Sequence, residues 1–152
     1  MATSVSTPQA APPITLGRVV VLVHDYDAAV AFYRAAFGAR VLFDTPRPAG
    51  GRYLHLGFGA PMGSDGCSDA PGVGIWLLQP GAEGTERVGR QTGGEPLAVF
   101  YTPDVRGAVA RAEAAGASTV RPLEVADGAS FAHVADLYGN VFVLVELRSD
   151  AR

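Results

Sequence analysis

The chain has 152 residues, of which 48% are hydrophobic and 18% charged, so it encodes one folded domain or two small modules that share a core. Its net charge of −3 supplies no basic surface for nucleic acid, and no apolar run is long enough to span a bilayer. The single cysteine, Cys67, excludes an intrachain disulfide framework and a cysteine-cluster metal site, and we expect a cytoplasmic protein.

Residues 1–13 lack the basic and apolar regions of a signal peptide and are predicted to form a disordered leader. The almost continuously apolar run at 16–23 follows, and its β-branched residues predict a strand buried on both faces. Asp25 or Asp27 can then cap a helix. Gly38 is placed to end that helix in the left-handed conformation.

Three more strands are predicted in the first half, at 40–44, 52–58 and 73–78. In the middle one, Leu54, Leu56 and Phe58 alternate with other residues, so they define one packed face. The loop at 59–72, which contains Cys67, is rich in glycine and proline. It is either a lid over a site or an idle surface loop.

The second half repeats this order after a glycine-rich connector. Its helix is predicted to begin at Asp104 and to end at Gly116, and its strands lie at 97–101, 119–125, 130–135 and 141–146. The predicted organisation is a leader at 1–13, a first βαβββ module at 14–79, a connector at 80–95, a second βαβββ module at 96–147 and a tail at 148–152.

A weak internal repeat supports two related modules. The segment from Asp25 to Ala36 returns, seventy-nine positions later, as the segment from Asp104 to Ala115. Each copy follows an apolar run and precedes a glycine, and this punctuation carries more weight than the matching alanines. Two similar halves have a natural binding site between them.

The segment at 23–38, which contains Phe32-Tyr33 and Phe37-Gly38, and the terminal Asp136-Leu137-Tyr138-Gly139-Asn140 resemble motifs of the vicinal oxygen chelate superfamily. This superfamily includes glyoxalase I, bleomycin-resistance proteins and extradiol dioxygenases. Arg52-Tyr53 and Gln91-Thr92-Gly93-Gly94 resemble a poorly characterised bacterial branch of it. The resemblance implies an α+β fold in which two tandem βαβββ modules, with curved mixed sheets, surround one shared cavity. It also implies a homodimer.

Metal-dependent members of this superfamily place four ligands on the first and fourth strands of the modules. By motif spacing, those positions are held here by Arg18, Trp76, Leu97 and Val143. None of these side chains is an ordinary ligand of a divalent metal. The sequence therefore predicts no metal cofactor at the usual site, with non-standard ligands as the alternative.

Five residues are candidates for ligand binding: Arg18, Tyr53, His55, Trp76 and Tyr101. Arg18 is either an anion anchor in the cavity or an exposed residue at the strand start. His55 shares a face with Tyr53 and is either a hydrogen-bonding or acid/base group, or a structural histidine. Trp76 either stacks on a flat ligand or packs in the core, and Tyr101 is expected to line the same cavity.

The resemblance and these residues together predict a protein that binds a small, partly aromatic molecule, without nucleic-acid or membrane partners. The alternative is a lyase, isomerase or dioxygenase of the same superfamily. Such an enzyme would use non-standard metal ligands, or His55 as an acid/base group. The sequence does not identify the ligand.

Overall fold

The computed structural model describes residues 14–59 and 72–148. The predictions for the leader, for nearly all of the 59–72 loop with Cys67, and for the last four residues lie outside the described part. In the remainder, every predicted strand and helix is present, with its bounds shifted by no more than a few residues.

Two four-stranded mixed sheets, each with one helix, form an α+β fold that confirms the predicted tandem βαβββ modules. The first module consists of β1 (Arg18–Leu22), α1 (Tyr26–Phe37), β2 (Arg40–Pro46), β3 (Arg52–Gly57) and β4 (Gly74–Leu78). The second module consists of β5 (Ala98–Tyr101), α2 (Val105–Ala114), β6 (Ser118–Ala126), β7 (Ala129–Ala135) and β8 (Val141–Leu147). A short 3-10 helix, Ala82–Arg87, lies in the connector.

The two sheets have the same topology. The strand orders are β1-β4-β3-β2 in the first sheet and β5-β8-β7-β6 in the second. The first strand of each module is parallel to the fourth, and the other neighbours are antiparallel. The duplication inferred from the helices therefore extends to all of the strands.

Local capping explains why both helices begin where the sequence predicts. The Asp25 carboxylate accepts a hydrogen bond from Ala28 N at 2.8 Å, and that of Asp104 accepts one from Gly107 N at 2.9 Å. Asp25, rather than Asp27, is therefore the N-cap of α1. Gly38 ends α1 with a φ of 64°, in the left-handed region that glycine adopts without strain.

The modules are joined through one hydrophobic core to which both helices contribute. Phe37 of α1 stacks on Phe100 of β5, with ring centroids 4.9 Å apart, and both rings contact Phe142 of β8. Phe142 is fully buried, and truncation of such a side chain to alanine costs about 3–5 kcal/mol. Aromatic packing therefore holds α1 against the second sheet.

A buried polar network also crosses the joint between the modules. The Tyr33 hydroxyl of α1 donates to Asp136 Oδ2 at 2.6 Å, and Asn140 Nδ2 donates to the carbonyl of Leu22 at 3.0 Å. Burial, followed by the Asp136 carboxylate, raises the pKa of Tyr33 well above its ordinary value. Asp136 also accepts from Tyr138 N and Asn140 N, the bonding pattern of a turn-supporting aspartate.

This joint determines which face of each sheet points towards the core. Because core side chains fill the space between the modules, and α1 and α2 pack on the core side of their sheets, the opposite face of each sheet points away from that space. Among residues 14–59 and 72–148, core side chains therefore occupy the space between the helix-bearing faces of the two sheets. The described helices also include none that is long and apolar enough to cross a membrane.

Candidate functional site

The face of the first sheet that points away from α1, which we call the first open face, carries four of the five candidate residues. Strand alternation separates the two faces. Leu54, Leu56, Ile75 and Leu77 are buried towards the helix. Tyr53, His55 and Trp76 occupy the alternate positions of β3 and β4 and are half-buried. The predicted face of β3 is therefore confirmed.

Aromatic rings form a continuous strip across the first open face. The His55 ring lies 5.7 Å from that of Phe43 and 5.7 Å from that of Trp76, and Trp76 lies 5.9 Å from Tyr53. The register explains these contacts, because His55 is directly opposite both Phe43 on β2 and Trp76 on β4. The strip offers ring faces on which a flat ligand can stack.

Arg47, which the sequence analysis did not identify, lies over this strip. Its guanidinium carbon is 5.4 Å from the centroid of the Tyr53 ring and 5.9 Å from that of Trp76. Arg47 follows β2 in the turn before β3, where no periodic pattern indicates which way a side chain points. Tertiary structure alone brings it to the site.

Arg18 lies on the same face because β1 pairs with β4. Arg18 is directly opposite Gly74, and a Cβ atom at position 74 would lie 3.4 Å from Arg18 Cδ and would collide with the carbonyl oxygen of Leu56. Glycine at position 74 therefore allows both the close approach of β3 and the path of the Arg18 side chain. Arg18 is half-buried, which agrees with the cavity interpretation better than with a fully exposed position.

Among the described residues, four buried side-chain nitrogens of this face have no hydrogen-bond partner. They are Nε of Arg18, Nε of Arg47, Nε2 of His55 and Nε1 of Trp76. The arginine and tryptophan nitrogens are obligatory donors. Buried donors are nearly always paired in folded proteins, so the concentration of these atoms at one place sets this face apart from the rest of the sheet.

The described charged side chains of the first open face, Arg18 and Arg47, are positive. Burial, followed by the charge of Arg18, lowers the pKa of His55 below its ordinary value, so the imidazole is neutral at pH 7. The only carboxylate on strands β1 to β4 is Asp44, which Arg52 holds on the helix side at 2.6 Å. Arg52 also bonds Asp27 and lies over the Tyr26 ring of α1. These acids therefore do not neutralise the open face.

Tyr101 lies elsewhere. It belongs to β5 in the second sheet, is 71% exposed, and lines a shallow depression of about 260 Å³ with Thr102, Pro103 and Leu147. Among the described residues, no ring contact joins Tyr101 to Tyr53 or Trp76. The structure thus brings together Arg18, Tyr53, His55 and Trp76, but places Tyr101 on the equivalent face of the second sheet, the second open face.

The second open face repeats part of the site. Phe131 and His133 on β7 stand seventy-eight positions after Tyr53 and His55 on β3, and Arg121 lies 5.5 Å over the Phe131 ring. Here the arginine is paired, because Arg121 Nε donates to Glu124 at 2.7 Å. The repeated aromatic-x-His pattern is a sequence signal that would have strengthened the assignment of Tyr53 and His55.

The residues at the expected metal positions do not fit a divalent cation. Arg18 and Trp76 lie on the first open face, Val143 lies on the second, and Leu97 immediately precedes β5. A guanidinium, an indole and two aliphatic side chains provide no ordinary ligand. Within 14–59 and 72–148, no three histidine, cysteine, aspartate or glutamate side chains gather at another place either.

Gln91, part of the motif shared with the bacterial branch, lies at the edge of the first sheet. Its Nε2 donates to the carbonyl of Val20 at 2.6 Å, and its Oε1 accepts from Leu22 N at 3.0 Å. The side chain thus satisfies backbone groups of the edge strand β1. This contact ties the connector to the first module rather than placing Gln91 in the site.

Comparison with known proteins agrees with this architecture. Residues 15–144 match the family model described as the Glyoxalase/Bleomycin resistance protein/Dioxygenase superfamily. No curated protein sequence matches the chain.

Solved structures provide further matches. UcmS2 is 24% identical, with a TM-score of 0.69 over 89% of this chain and 99% of that one. TnmS3, an antibiotic binding protein from Streptomyces sp. CB03234, is 22% identical, with a TM-score of 0.64 over 91% and 100% of the two chains. TioX from Micromonospora sp. ML1 is 23% identical, with a TM-score of 0.56 over 88% and 98%. These likenesses concern the fold.

Proposed function

Because the chain belongs to the Glyoxalase/Bleomycin resistance protein/Dioxygenase superfamily, we propose that it binds a small, partly aromatic molecule on its first open face. The observation that carries this proposal is the strip of rings together with four nitrogens that have no hydrogen-bond partner among the described residues. Rings supply a stacking surface and the polar atoms supply orientation, which is the usual division of labour in a small-molecule site. The name of TnmS3, an antibiotic binding protein, supports binding as the function.

Binding is proposed to be independent of a divalent metal. The support is the donor set, since Arg18 and Trp76 replace the ligands expected on the first module. The test is elemental analysis of the purified protein, followed by ligand binding before and after treatment with a chelator. A stoichiometric transition metal, or binding that is lost with the chelator, would refute this part of the proposal.

A second copy of the chain is proposed to complete the site as a homodimer. The second open face exposes Val99, Tyr101 and Leu147, which are 51%, 71% and 63% exposed, and such a strip is suited to cover the rings of another copy. Tyr101 would then line the same cavity as Trp76, but from the partner. The modules of one chain cannot provide this arrangement, since their core sides face each other.

Light scattering and analytical ultracentrifugation test the dimer. We expect Tyr101→Glu to shift the protein towards monomer and to weaken ligand binding. Val125→Glu is the matched control, because Val125 is 63% exposed on the same sheet but pairs with Ser130, on the other face. A wild-type monomer at high concentration, or equal effects of the two variants, would contradict the dimer.

Intrinsic fluorescence tests ligand binding directly, because Trp76 is the single tryptophan. A panel of flat aromatic compounds is expected to include members that quench or shift its emission. Calorimetry with Trp76→Phe and Trp76→Ala then measures the contribution of the ring. Unchanged affinity in Trp76→Ala would remove the stacking role and, with it, the proposed location.

A second candidate function is acid/base catalysis by His55. The favouring observation is that the lowered pKa keeps this imidazole neutral while its Nε2 lacks a partner, so it can accept a proton from a bound substrate. His55→Gln separates the two functions. An enzyme would lose turnover while retaining affinity, whereas a binding protein would change only in affinity.

A further inference from the structure

The unpartnered atoms of the first open face are predominantly donors. Arg18 Nε, Arg47 Nε and Trp76 Nε1 each carry a hydrogen and cannot accept a bond. His55 Nε2 is a donor in one of the two neutral tautomers. A molecule that satisfies these atoms must therefore present acceptors. An uncharged hydrocarbon would leave three or four buried donors unpaired, whereas an acceptor would gain a hydrogen bond with each one that it reaches.

Two of these donors belong to cations without a carboxylate partner. Among residues 14–59 and 72–148, the ion pairs between side chains involve Arg52 and Arg121, and neither includes Arg18 or Arg47. Arginines are almost never fully buried without a partner, and the Nε atoms of both arginines are buried here. Since strands β1 to β4 contribute no acid to this face, the charge is not compensated from within the sheet.

The two arginines also lie at different positions along the ring strip. Arg47 lies over Tyr53 and Trp76, whereas Arg18 lies across Gly74 and near enough to His55 to lower its pKa. A flat ligand that stacks on this strip would therefore lie next to Arg47 and on the same sheet face as Arg18. Arginine suits this use because its planar fork binds carboxylate oxygens and also stacks on rings.

We propose that the molecule bound at the first open face is an aromatic anion whose carboxylate or phenolate is received by Arg18 and Arg47. This inference rests on the proposed function and specifies its ligand class. Stacking on Trp76 positions the ring, and the arginines select the ionised form. Neutral analogues bind less tightly because they leave both cations uncompensated.

Three naphthyl probes of equal shape test the charge requirement. They are 2-naphthoate, 2-naphthamide and 2-naphthylmethylammonium, measured by calorimetry and by Trp76 fluorescence. We expect the carboxylate to bind about tenfold more tightly than the amide, with the ammonium weakest. Amide binding equal to that of the carboxylate, or a preference for the ammonium, would overturn the inference.

Arginine variants test which side chains cause the preference for the carboxylate over the amide. Arg18→Gln and Arg47→Gln are each expected to remove most of the difference between carboxylate and amide. The matched control is Arg52→Gln, because Arg52 also lies over an aromatic ring, that of Tyr26, but on the helix side of the sheet and already paired with Asp27 and Asp44. Loss of discrimination in this control to the same extent would overturn the assignment to the first open face.

Failure of the inference is distinguishable from failure of the proposed function. Tight binding of naphthamide that Trp76→Ala abolishes would refute the anion requirement and retain aromatic binding. If none of the three probes binds, the inference is overturned, and the wider ligand panel decides the proposed function by itself.

Wild-type protein provides a measurement that does not depend on the folding of any variant. An anion placed beside Arg18 offsets the positive charge that disfavours protonation of His55, so saturating 2-naphthoate should raise the pKa of His55. The imidazole signals of the three histidines can be followed by NMR, with those of His24 and His133 as internal references. No change at His55 in the bound protein would contradict the proposal.

Discussion

The two open faces begin from the same plan and differ in charge. Each has an aromatic residue and a histidine two positions apart on the third strand of its module: Tyr53 and His55 in the first, Phe131 and His133 in the second. Each also has an arginine over the aromatic ring. The shared pattern follows from a duplicated scaffold in which equivalent strand positions point in equivalent directions.

The differences lie at the strand positions beside the histidines. His55 is opposite Trp76, whereas His133 is opposite Val143. Arg121 of the second face is neutralised by Glu124 at 2.7 Å, while Arg47 of the first has no carboxylate among the side chains that the structure describes. Of the two duplicated sheets, only the first therefore carries a candidate site, because it has the large ring of Trp76 and the uncompensated charge of Arg47. The second face, more aliphatic, is suited to act as a cover.

Gly74→Ala is expected to have the largest effect on stability and would show how closely the first face depends on its backbone. The new methyl group collides with the carbonyl oxygen of Leu56. Because this oxygen belongs to the backbone, it cannot move away by a change of side-chain rotamer. Overpacking of this kind costs about 2–3 kcal/mol. Urea denaturation measures the free energy of unfolding. A loss of unfolding free energy smaller than that of an ordinary surface substitution would mean that β3 and β4 can move apart to accommodate the methyl group.

Trp76→Val would make the centre of the first face resemble that of the second, where Val143 stands. We expect an aromatic ligand to bind about tenfold less tightly, equivalent to ~1.4 kcal/mol, because the stacking surface is lost. Calorimetry measures the change, with Val143→Ala as the control. An equal loss in that control would show that both faces contact the ligand equally.

His55 is expected to make stability depend on pH, an effect smaller than that of Trp76→Val on ligand binding. Because the folded-state pKa of His55 is lowered, the unfolded chain binds its proton more readily, and stability falls as pH decreases below about 6.5. We expect His55→Gln to make the unfolding midpoint less dependent on pH between 7 and about 5. Urea midpoints at a series of pH values check this. An unchanged profile would mean that His55 does not contribute to it.

Glu124→Gln is expected to have the smallest effect on stability. It removes the partner of Arg121 and leaves the second face with an uncompensated arginine, as in the first. Because both side chains are largely exposed, the urea midpoint should not change measurably. In the Tyr101→Glu background, where no partner is expected to cover the site, naphthoate affinity should also remain unchanged, since Val143 and Leu97 replace Trp76 and Arg18 there. A gain in affinity would show that charge alone makes a face competent to bind.

The residues of the first face were predictable to different degrees. Alternation along β3 placed Tyr53 and His55 on one face because side-chain direction in a strand is a local property. Trp76 and Arg18 were reached through the family resemblance, and the parallel pairing of β1 with β4 brings them to the same face. Arg47 lies in a turn without periodicity, so no pattern of this kind could reveal its contact with Trp76.

The sequence by itself determined the strands, the helices, their caps and the duplicated βαβββ order. These depend on interactions between residues close along the chain, such as the bond between Asp25 and Ala28. Only the tertiary structure decided how the modules meet. The contacts of Phe37 with Phe100 and of Tyr33 with Asp136 join residues far apart in sequence, and they place the core between the modules. For that reason Tyr101 lies on a different face from Trp76, although the same cavity was predicted for both.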